Sequence, residues 1–352
     1  MMNIKKIQDV DVAGKRVIFR VGFDVSVRDG HVEETFKIIT VKATLDYLIN
    51  KGAKVALMTW LGRPGGKKDL RFSLNIIKDD IEKILGYKIE FVPDCVGEEV
   101  ASVMENLENG EVALLENVRF YPGEGDVETG KEFEEDFARD LAKGFDLFVS
   151  DSFSQAHRNQ ASITGIPKFI PSYAGFLMQK EVEEMEKMKN NFARPAVAII
   201  GGAKIETKLP VIKFFEEKYD YVLVGGKVAN EALAQGVKFS GKVILPVDFV
   251  DDRLDVGPKT IEKFKEIISS AKTIVWNGPT GKFEEEKYAV STRAVLAAVL
   301  ASGAYTVVGG GETLEVLEKN NAMDKIDFVS TGGGAMLEYL GGGEMPGVEA
   351  LC

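Results

Sequence analysis

A-V-A-I-I-G-G-A-K-I-E-T-K, from Ala196 to Lys208, carries the strongest structural signal in the chain. Its unbroken apolar run is typical of a strand that is buried on both faces of a parallel sheet. Gly201 and Gly202 suit a turn whose backbone approaches a ligand closely. Lys204 and Lys208 then lie four residues apart on a predicted helix. Because free backbone N–H groups and the helix dipole both favour negative charge, this stretch predicts an anion site. The alternative is an ordinary turn with two solvated lysines.

Length, charge and cysteine content narrow the classes of protein. A chain of 352 residues is too long for one core of common size, so two domains are expected. The net charge of -11 disfavours nucleic acid or an anionic membrane as the main partner. Cys95 and Cys352 alone provide neither a disulfide framework nor a cysteine zinc site. No apolar run reaches membrane-spanning length and the N-terminus lacks an apolar signal core, so a cytoplasmic location is expected.

Strand and helix patterns alternate along the whole chain, which predicts an α/β fold with doubly wound, Rossmann-like parallel sheets. The predicted strands are Lys15–Val21, Lys54–Thr59, Ile89–Val92, Val112–Leu115, Leu147–Ser150, Val197–Ile200, Tyr221–Val224, Val243–Leu245, Thr273–Trp276, Thr306–Val308 and Phe328–Ser330. Predicted helices include Lys37–Lys51, Glu98–Leu107, Lys131–Lys143 and a charged linker helix from Met178 to about Asn191. Nearly every strand ends in a polar or glycine-rich cluster, and ligands bind at the carboxyl ends of strands in such sheets.

The two halves of the chain carry different chemistry. Arg63, Arg119 and Arg158 each follow a predicted strand of the first half, and converging guanidinium groups bind phosphate or carboxylate bidentately. A structural ion pair is the alternative for any one of them. The second half has glycine clusters, but neither the P-loop pattern nor G-x-G-x-x-G. A nucleotide site in one domain and a small-anion site in the other predict phosphoryl transfer with closure that expels water.

The chain resembles the phosphoglycerate kinase family in an ordered series of motifs that runs nearly end to end. The motifs are L-G-R-P at Leu61–Pro64, L-E-N-V-R-F at Leu115–Phe120, A-H-R at Ala156–Arg158, A-G-F-L-M at Ala174–Met178, G-G-A-K at Gly201–Lys204, L-P-V-D at Leu245–Asp248, W-N-G-P at Trp276–Pro279 and S-T-G-G-G-A at Ser330–Ala335. The resemblance implies two domains joined by a hinge helix. The implied substrate domain covers 1–173, and the C-terminal segment 335–352 returns to it. The linker helix covers 174–191, and the nucleotide-binding domain covers 192–334.

The resemblance also implies which residues form the site. It assigns catalysis to Lys37, Lys208, Gly311 and Gly334. It assigns substrate binding to Gly22, Phe23, Asp24, Lys37, Trp60, Leu61, Gly62, Arg63, Arg119 and Arg158, with the three arginines on the substrate phosphate. It assigns nucleotide binding to Gly201, Gly202, Lys204, Lys208, Gly225, Asn277, Pro279, Glu284, Gly310, Gly311, Glu312 and Thr313. The implied cofactor is Mg²⁺ with ATP or ADP, held by Glu312 as metal ligand, and the implied state is a monomer that binds small molecules and neither nucleic acid nor membrane.

The chain departs from the family pattern mainly in the substrate half. The replacements are Gly22 for Asp, Asp24 for Asn, Lys37 for Arg, Trp60 for His, Gln160 for His and, in the metal loop, Glu312 for Asp. Lys37 keeps the charge but loses the guanidinium fork, and Trp60 offers one indole N–H and no cation. Asp24 is a candidate acceptor for the substrate hydroxyl, although it brings negative charge towards an anionic ligand. The segment between Gly236 and Gly257 is also shorter than in the family.

Three functions are compatible with this pattern. The first is the family's glycolytic and gluconeogenic reaction, in which ATP and 3-phosphoglycerate give ADP and 1,3-bisphosphoglycerate reversibly. The second is a related acyl-phosphate kinase with a different acid substrate, because the replacements affect hydroxyl and carboxylate contacts. The third is a nucleotide-binding paralogue of low activity. Lys204, Lys208 and the complete glycine loops argue against the third function, and the three retained arginines favour the first.

Overall fold

Residues 3–126 and 129–352 are described in this computed structural model, and they divide into two compact units. The first unit comprises the chain up to Val182 together with Met345–Cys352, and the second comprises Glu183–Glu344. The first unit contains a six-stranded parallel sheet in the order β3-β4-β2-β1-β5-β6. Its strands are β1 (Arg16–Arg20), β2 (Lys54–Met58), β3 (Ile89–Val92), β4 (Val112–Leu115), β5 (Leu147–Ser150) and β6 (Ser172–Ala174).

The second unit contains another six-stranded parallel sheet, in the order β9-β8-β7-β10-β11-β12. Its strands are β7 (Ala196–Ile200), β8 (Tyr221–Val224), β9 (Val243–Ile244), β10 (Thr273–Asn277), β11 (Tyr305–Gly309) and β12 (Phe328–Ser330). Two short antiparallel ribbons pair Val27–Arg28 with His31–Val32 and Phe249–Val250 with Asp255–Val256. The predicted α/β class with two doubly wound parallel sheets is confirmed.

Helices connect the strands in both units. They are α1 (Phe36–Ile39), α2 (Lys42–Asn50), α3 (Lys78–Leu85), α4 (Glu98–Asn106), α5 (Glu135–Ala142), α6 (Phe176–Asn190), α7 (Ile205–Lys218), α8 (Gly226–Ala234), α9 (Pro258–Ser269), α10 (Val290–Ala301), α11 (Gly311–Lys319), α12 (Gly333–Leu340) and α13 (Pro346–Glu349). No helix in the described ranges is long and apolar enough to cross a bilayer.

The strands lie at the centre of each unit because their side chains are apolar on both faces. Every residue of β4 and of β7 is buried, as expected for a strand covered by helices on both sides of the sheet. The core of the first unit includes Phe19 and Leu57, and that of the second includes Ile199 and Trp276, all without exposed surface. Burial of these side chains removes apolar surface from water, which is the main force that stabilises each unit.

Several element boundaries differ from the sequence prediction. The helix predicted over Lys37–Lys51 is two helices, α1 and α2, separated at Thr40 and Val41. Helix α5 begins at Glu135 instead of Lys131, whose backbone pairs with Asp126 in an isolated bridge. Helix α7 begins at Ile205, so Lys204 precedes it with a left-handed φ of 67°. The two lysines therefore do not share one helix, which corrects the expectation from their spacing.

The C-terminal segment also differs from the expected domain division. Residues 335–344 belong to the second unit, and only Met345–Cys352 belongs to the first. The reason is the packing of α12: Tyr339 donates its hydroxyl hydrogen bond to Glu186, and its backbone carbonyl accepts one from Lys189. Both partners lie in the part of α6 that belongs to the second unit. The boundary between the units thus falls inside the helix that the sequence predicted as a linker.

Candidate active site

Three guanidinium groups surround the indole ring of Trp60 in the first unit. The Cζ atom of Arg119 lies 3.7 Å from the ring centroid, that of Arg20 lies 4.5 Å away and that of Arg158 lies 5.6 Å away. Arg20 ends β1, Trp60 follows β2, Arg119 follows β4 and Arg158 follows β5. These four strands are neighbours in the sheet, so their carboxyl ends bring the four side chains together. We call these four residues the arginine cluster.

The arginine cluster carries positive charge in a poorly solvated place. The pKa of Arg20 is lowered to about 10, mainly by burial and also by the charges of Arg119 and Arg158, while Glu124 opposes the shift. Burial also lowers the pKa of Arg119, as do the charges of Arg158 and Arg63. Among the described residues, no carboxylate lies within the 4.0 Å ion-pair distance of Arg20, Arg119 or Arg158. Three charged groups therefore share one site without direct neutralisation.

Several buried donors in and beside the cluster have no hydrogen-bond partner within the described part of the chain. They are Nη2 of Arg20, Nε1 of Trp60, Nε2 of Gln155 and Nε of Arg158. Buried polar groups in proteins are normally hydrogen-bonded, so a group of orphaned donors indicates a place for acceptors. Buried atoms without a partner in the segment after β5 also include Oδ2 of Asp151, Nδ1 of His157 and Oε1 of Gln160, so donors outnumber acceptors in this part of the unit. The site is therefore suited to an anion.

Arg20 is the residue of this cluster that the sequence prediction missed. Its Nε donates to the Ser162 hydroxyl at 3.1 Å, and that hydroxyl donates to the Glu124 carboxylate at 2.6 Å. Burial raises the pKa of Glu124 to about 7, although Ser162 and Arg20 oppose the shift. The available signal was an arginine inside the apolar run K-R-V-I-F-R-V, because a strand buried on both faces rarely carries a charge without a partner or a ligand.

Arg119 is held in place by its backbone and by a neighbouring loop. The residue lies in the short helical turn Val118–Phe120, whose first backbone N–H groups are capped by the Asn117 side chain. Its Nη1 donates to the Gly62 carbonyl at 2.8 Å. Gly62 has a φ of 59°, and a Cβ there would lie 2.3 Å from the Phe72 ring, so only glycine fits.

Arg63 lies at a cavity of about 310 Å³. Arg119 also lines this cavity, together with Tyr121 and Lys131. The predicted trio of arginines is thus brought together around Arg119, with Arg158 at the Trp60 ring and Arg63 at the cavity. The neighbouring Leu61 is buried, and its carbonyl accepts a hydrogen bond from Asn117 at 2.7 Å.

The segment Gly22–Asp24 follows β1 and lies beside the segment that follows β5. A Cβ at Gly22 would lie 2.8 Å from the Ser154 hydroxyl and 3.7 Å from the Ser152 hydroxyl. Phe23 is fully buried, and its N–H donates to Thr59 at 3.2 Å. The hydroxyl groups of the second segment therefore occupy the space that a larger residue at position 22 would need.

Asp24 and Lys37 are linked through the backbone. The Lys37 ammonium donates to the Asp24 carbonyl oxygen at 2.6 Å, which leaves the Asp24 carboxylate exposed to solvent. The charge of this carboxylate raises the pKa values of Arg20 and Arg119, although burial outweighs it at both residues. The amide of Gln160 donates to the Gly125 carbonyl at 3.1 Å.

His157 is the one histidine in the segment after β5. Burial, together with the charge of the nearby Arg158, lowers its pKa to about 4. The imidazole is therefore neutral at neutral pH. Arginine side chains, and not histidine, supply the positive charge of this site.

In the second unit, Lys208 points into the turn that follows β7. The side chain is buried, with 8% of its surface exposed. Its Nζ donates to the Gly201 carbonyl at 2.6 Å and to Oδ1 of Asn277 at 2.9 Å. Burial lowers the pKa of Lys208 to about 8, and the charge of Glu312 opposes the shift. The ammonium is thus fixed at the carboxyl ends of two adjacent strands, β7 and β10.

Glycines allow the backbone segments around Lys208 to approach one another closely. A Cβ at Gly201 would lie 2.0 Å from the Pro279 carbonyl oxygen, and one at Gly333 would lie 2.7 Å from Cα of Gly310. Gly310 itself has a φ of 103°. Any side chain at these positions would separate the segments that follow β7, β10, β11 and β12, so the glycines are required by packing.

Two helix N-termini open onto this turn. Helix α11 begins at Gly311 and helix α12 begins at Gly333. A Cβ at Gly311 or at Gly334 would meet no atom within 4 Å, so the space beside both helix starts is open. Free N–H groups at helix N-termini bind phosphate well, which makes this the candidate nucleotide site.

The remaining predicted nucleotide residues surround the same turn. Thr313 is buried and accepts the Gly278 N–H at 2.7 Å, and Gly225 caps helix α8. Glu284 is exposed, and its charge contributes to the raised pKa of Glu312, for which burial is the main cause. Lys204 is exposed and lies immediately before helix α7.

A metal site made of protein side chains alone is not present in the described residues, where no three His, Cys, Asp or Glu side chains cluster. Glu312 nevertheless lies beside the phosphate site. A Cβ at Gly202 would lie 3.1 Å from its Oε2 and 3.3 Å from Nζ of Lys208. A single carboxylate fits Mg²⁺, because this ion is usually bound by one or two carboxylates and by substrate phosphates.

An arginine cluster on one doubly wound sheet and a glycine-lined lysine site on another are typical of a kinase that acts on a small anion. The sequence profile of phosphoglycerate kinase matches residues 7–251 and 245–343. The chain is 37% identical to phosphoglycerate kinase of Borrelia hermsii over 99% of this chain and 100% of the relative. It is 38% identical to the Desulfosudis oleivorans enzyme over 99% and 98%.

Solved structures agree with these relatives. The phosphoglycerate kinase of Pyrococcus horikoshii superposes with a TM-score of 0.87 at 30% identity, over 99% of this chain and 98% of that one. The Coxiella burnetii enzyme superposes with a TM-score of 0.81 at 31% identity, with the same coverage. The chain belongs to the phosphoglycerate kinase family. The predicted family, enzyme class and kinase function are confirmed.

Proposed function

We propose that the protein transfers phosphate reversibly between ATP and 3-phosphoglycerate, with ADP and 1,3-bisphosphoglycerate as the products. The arginine cluster carries this proposal, because guanidinium groups without a carboxylate partner are available to bind phosphate bidentately. Arg63, Arg119 and Arg158 bind the phosphate of the substrate in this proposal. Arg20 adds its charge from beneath the Trp60 ring.

The carboxylate end of the substrate is the acceptor of the transferred group. We assign its binding to Lys37 and to the segment Gly22–Asp24. This segment follows the carboxyl end of β1, and the arginine cluster lies at the carboxyl ends of β1 and its neighbouring strands. An ammonium group makes a point-charge contact, so this end is held with less geometric control than a guanidinium would give. The exposed Asp24 carboxylate accepts the substrate hydroxyl.

The nucleotide binds to the second unit in this proposal. Backbone N–H groups at Gly311 and Gly334 contact the phosphates, Asn277 lies beside them and Glu284 binds the ribose. Lys208 acts on the transferred phosphoryl group, whose charge spreads over its equatorial oxygens in the transition state. Glu312 would hold Mg²⁺, which would supply positive charge to the phosphate oxygens. Lys204, exposed immediately before helix α7, adds a second positive charge beside the phosphates in this proposal.

The roles of the two units follow from these assignments. The first unit is the substrate domain and the second is the nucleotide-binding domain. A monomeric state and a cytoplasmic location are predictions from the sequence that belong to the same proposal. They agree with the net charge of -11 and with small-molecule partners.

A steady-state assay with a panel of acids tests the proposed function. Purified protein receives Mg²⁺, ATP and either 3-phosphoglycerate, 2-phosphoglycerate, phosphoglycolate or acetate, and ADP formation is followed. We expect 3-phosphoglycerate to have the highest kcat/KM. A Lys208→Met preparation, purified in parallel, controls for contaminating kinases. Higher kcat/KM with another acid would support the related-kinase alternative, and nucleotide binding without any turnover would support the paralogue.

Replacing Gly22 by the family's aspartate is expected to lower kcat/KM for 3-phosphoglycerate about tenfold, equivalent to about 1.4 kcal/mol, because the substrate-binding segment Gly22–Asp24 or Ser154 must shift to admit the new side chain. The reason is that the new Cβ would lie 2.8 Å from the Ser154 hydroxyl. Adding Ser154→Gly should remove this contact and recover most of the loss. The measurement is kcat/KM for 3-phosphoglycerate in the wild type, both single variants and the double variant, with KM for ATP as a control. An increase with Gly22→Asp alone would show that Ser154 does not fill this space.

A further inference from the structure

One indole ring contacts three guanidinium groups in the first unit. Trp60 is 1% exposed, and Arg119 lies against it at 3.7 Å from the ring centroid. Arg20 and Arg158 lie at 4.5 Å and 5.6 Å. All three distances are within the range of about 6 Å over which a cation is attracted to the face of an aromatic ring. Tryptophan has the most favourable ring for this interaction.

The three guanidinium groups repel one another, so something must keep them together. The charges of Arg119 and Arg158 lower the pKa of Arg20, and the charge of Arg158 lowers that of Arg119, in addition to the effect of burial. The nearest negative groups are Glu124, which hydrogen-bonds to Ser162, and the exposed Asp24. Neither lies within the 4.0 Å ion-pair distance of Arg20, Arg119 or Arg158 in the described residues. The hydrogen bonds of Arg20 go to neutral partners, namely Ser162 and the backbone carbonyls of Val21 and Met58.

The ring of Trp60 is positioned by packing and not by its own polar atom. Its Nε1 is buried and has no hydrogen-bond partner among the described residues. Trp276, the other tryptophan, differs in this respect, because its Nε1 donates to the Gly278 carbonyl at 2.8 Å. Trp60 therefore contacts the three arginines through its π face, and its N–H has no partner among the described residues.

We propose that Trp60 is a positioning residue that holds Arg20, Arg119 and Arg158 together through cation–π contacts. A carboxylate in this place would also hold the arginines, but it would neutralise the charge that the substrate phosphate needs. An aromatic face attracts cations and carries no net charge, so it leaves that charge available. This inference rests on the proposed function, because it concerns the same phosphate-binding arginines.

The inference makes KM for the phosphorylated acid depend on the electron density of the Trp60 ring. Fluorine withdraws electrons from the π face and changes the ring volume little. Trp60 and Trp276 are the two tryptophans of the chain, so growth on tryptophan, 5-fluoro-, difluoro- and trifluorotryptophan gives a graded series. We expect KM for 3-phosphoglycerate to rise at each step, by on the order of tenfold over the series. KM for ATP should not change.

The matched control is Trp60→Phe grown on the same analogues, in which only Trp276 carries fluorine. We expect its KM for 3-phosphoglycerate to lie a fewfold above that of the wild type and to stay constant along the series. Trp60→Leu, which keeps an apolar side chain but has no π face, should raise KM by roughly thirtyfold. Melting temperatures identify any variant that does not fold, and the fluorinated wild-type series does not depend on those variants.

A second readout separates this inference from the proposed function. The dissociation constant of inorganic phosphate, measured by calorimetry on the same fluorinated proteins, should rise in parallel with KM. Constant KM and constant phosphate affinity across the series, in a protein that turns over 3-phosphoglycerate, would overturn the inference and leave the function intact. Failure to turn over 3-phosphoglycerate, with phosphate affinity that still follows the series, would overturn the function and keep the role of Trp60.

Discussion

Replacing Lys208 by methionine is expected to lower kcat by at least about a hundredfold, the order seen when one preorganised donor to a transition state is removed. The Lys208 ammonium is buried and fixed by the Gly201 carbonyl and by Asn277. Because the charge of the transferred phosphoryl group spreads over its equatorial oxygens, such a fixed cation acts mainly in the transition state. Methionine keeps much of the side-chain volume, so the effect isolates the charge.

The kinetic signature of the Lys208 variant distinguishes catalysis from binding. We expect KM for ATP to change little, because backbone N–H groups contribute most of the phosphate contacts in the proposed site. Lys204→Met is the matched control, since Lys204 lies nearby but is exposed. It should lower kcat less than tenfold, by the same reasoning applied to a solvated cation. A large rise in KM for ATP with unchanged kcat in Lys208→Met would show that Lys208 provides uniform binding only.

The fold could be predicted from the sequence because its strands are short apolar runs with clear ends. Ile89–Val92, Val112–Leu115 and Leu147–Ser150 begin and end in the structure where the pattern placed them. Strands such as Ser172–Ala174 were not predicted, since three residues with one aromatic side chain carry no periodic signal. Helix ends were less accurate, as at Lys204, because the left-handed residue before α7 has no recognisable side-chain signal.

The candidate site was predicted in part, and the missing part depends on three-dimensional proximity. Arg119 and Arg158 were predicted as site residues because each of them follows a predicted strand. Arg20 was not predicted as a site residue. From the sequence alone, a charged residue in this position indicates only where the apolar run ends, and its role depends on neighbours that the sequence does not show. The contact of Trp60 with three arginines joins four separate strand ends. The approach of Ser154 to Gly22 likewise joins residues far apart in the chain, and no local pattern reports it.

The phosphate of the acid substrate is expected to determine specificity. Glycerate has the same hydroxyl and carboxylate as 3-phosphoglycerate but lacks the phosphate, so it cannot use Arg63, Arg119 or Arg158. Hydrogen bonds to charged groups contribute about 1.5–3 kcal/mol each. Losing two such bonds corresponds to at least about 3–4 kcal/mol, or roughly a thousandfold in kcat/KM.

The ratio of kcat/KM for 3-phosphoglycerate to that for glycerate, with Mg²⁺ and saturating ATP, tests the central claim most directly. The claim is that the arginine cluster binds the phosphate of an acid whose carboxylate receives the phosphoryl group. Arg119→Met is the matched variant, because its guanidinium contacts both the Trp60 ring and the Gly62 carbonyl at the site. We predict a ratio of about a thousand in the wild type, and a ratio at least about tenfold smaller in Arg119→Met. A wild-type ratio near one, unchanged by Arg119→Met, would contradict the account.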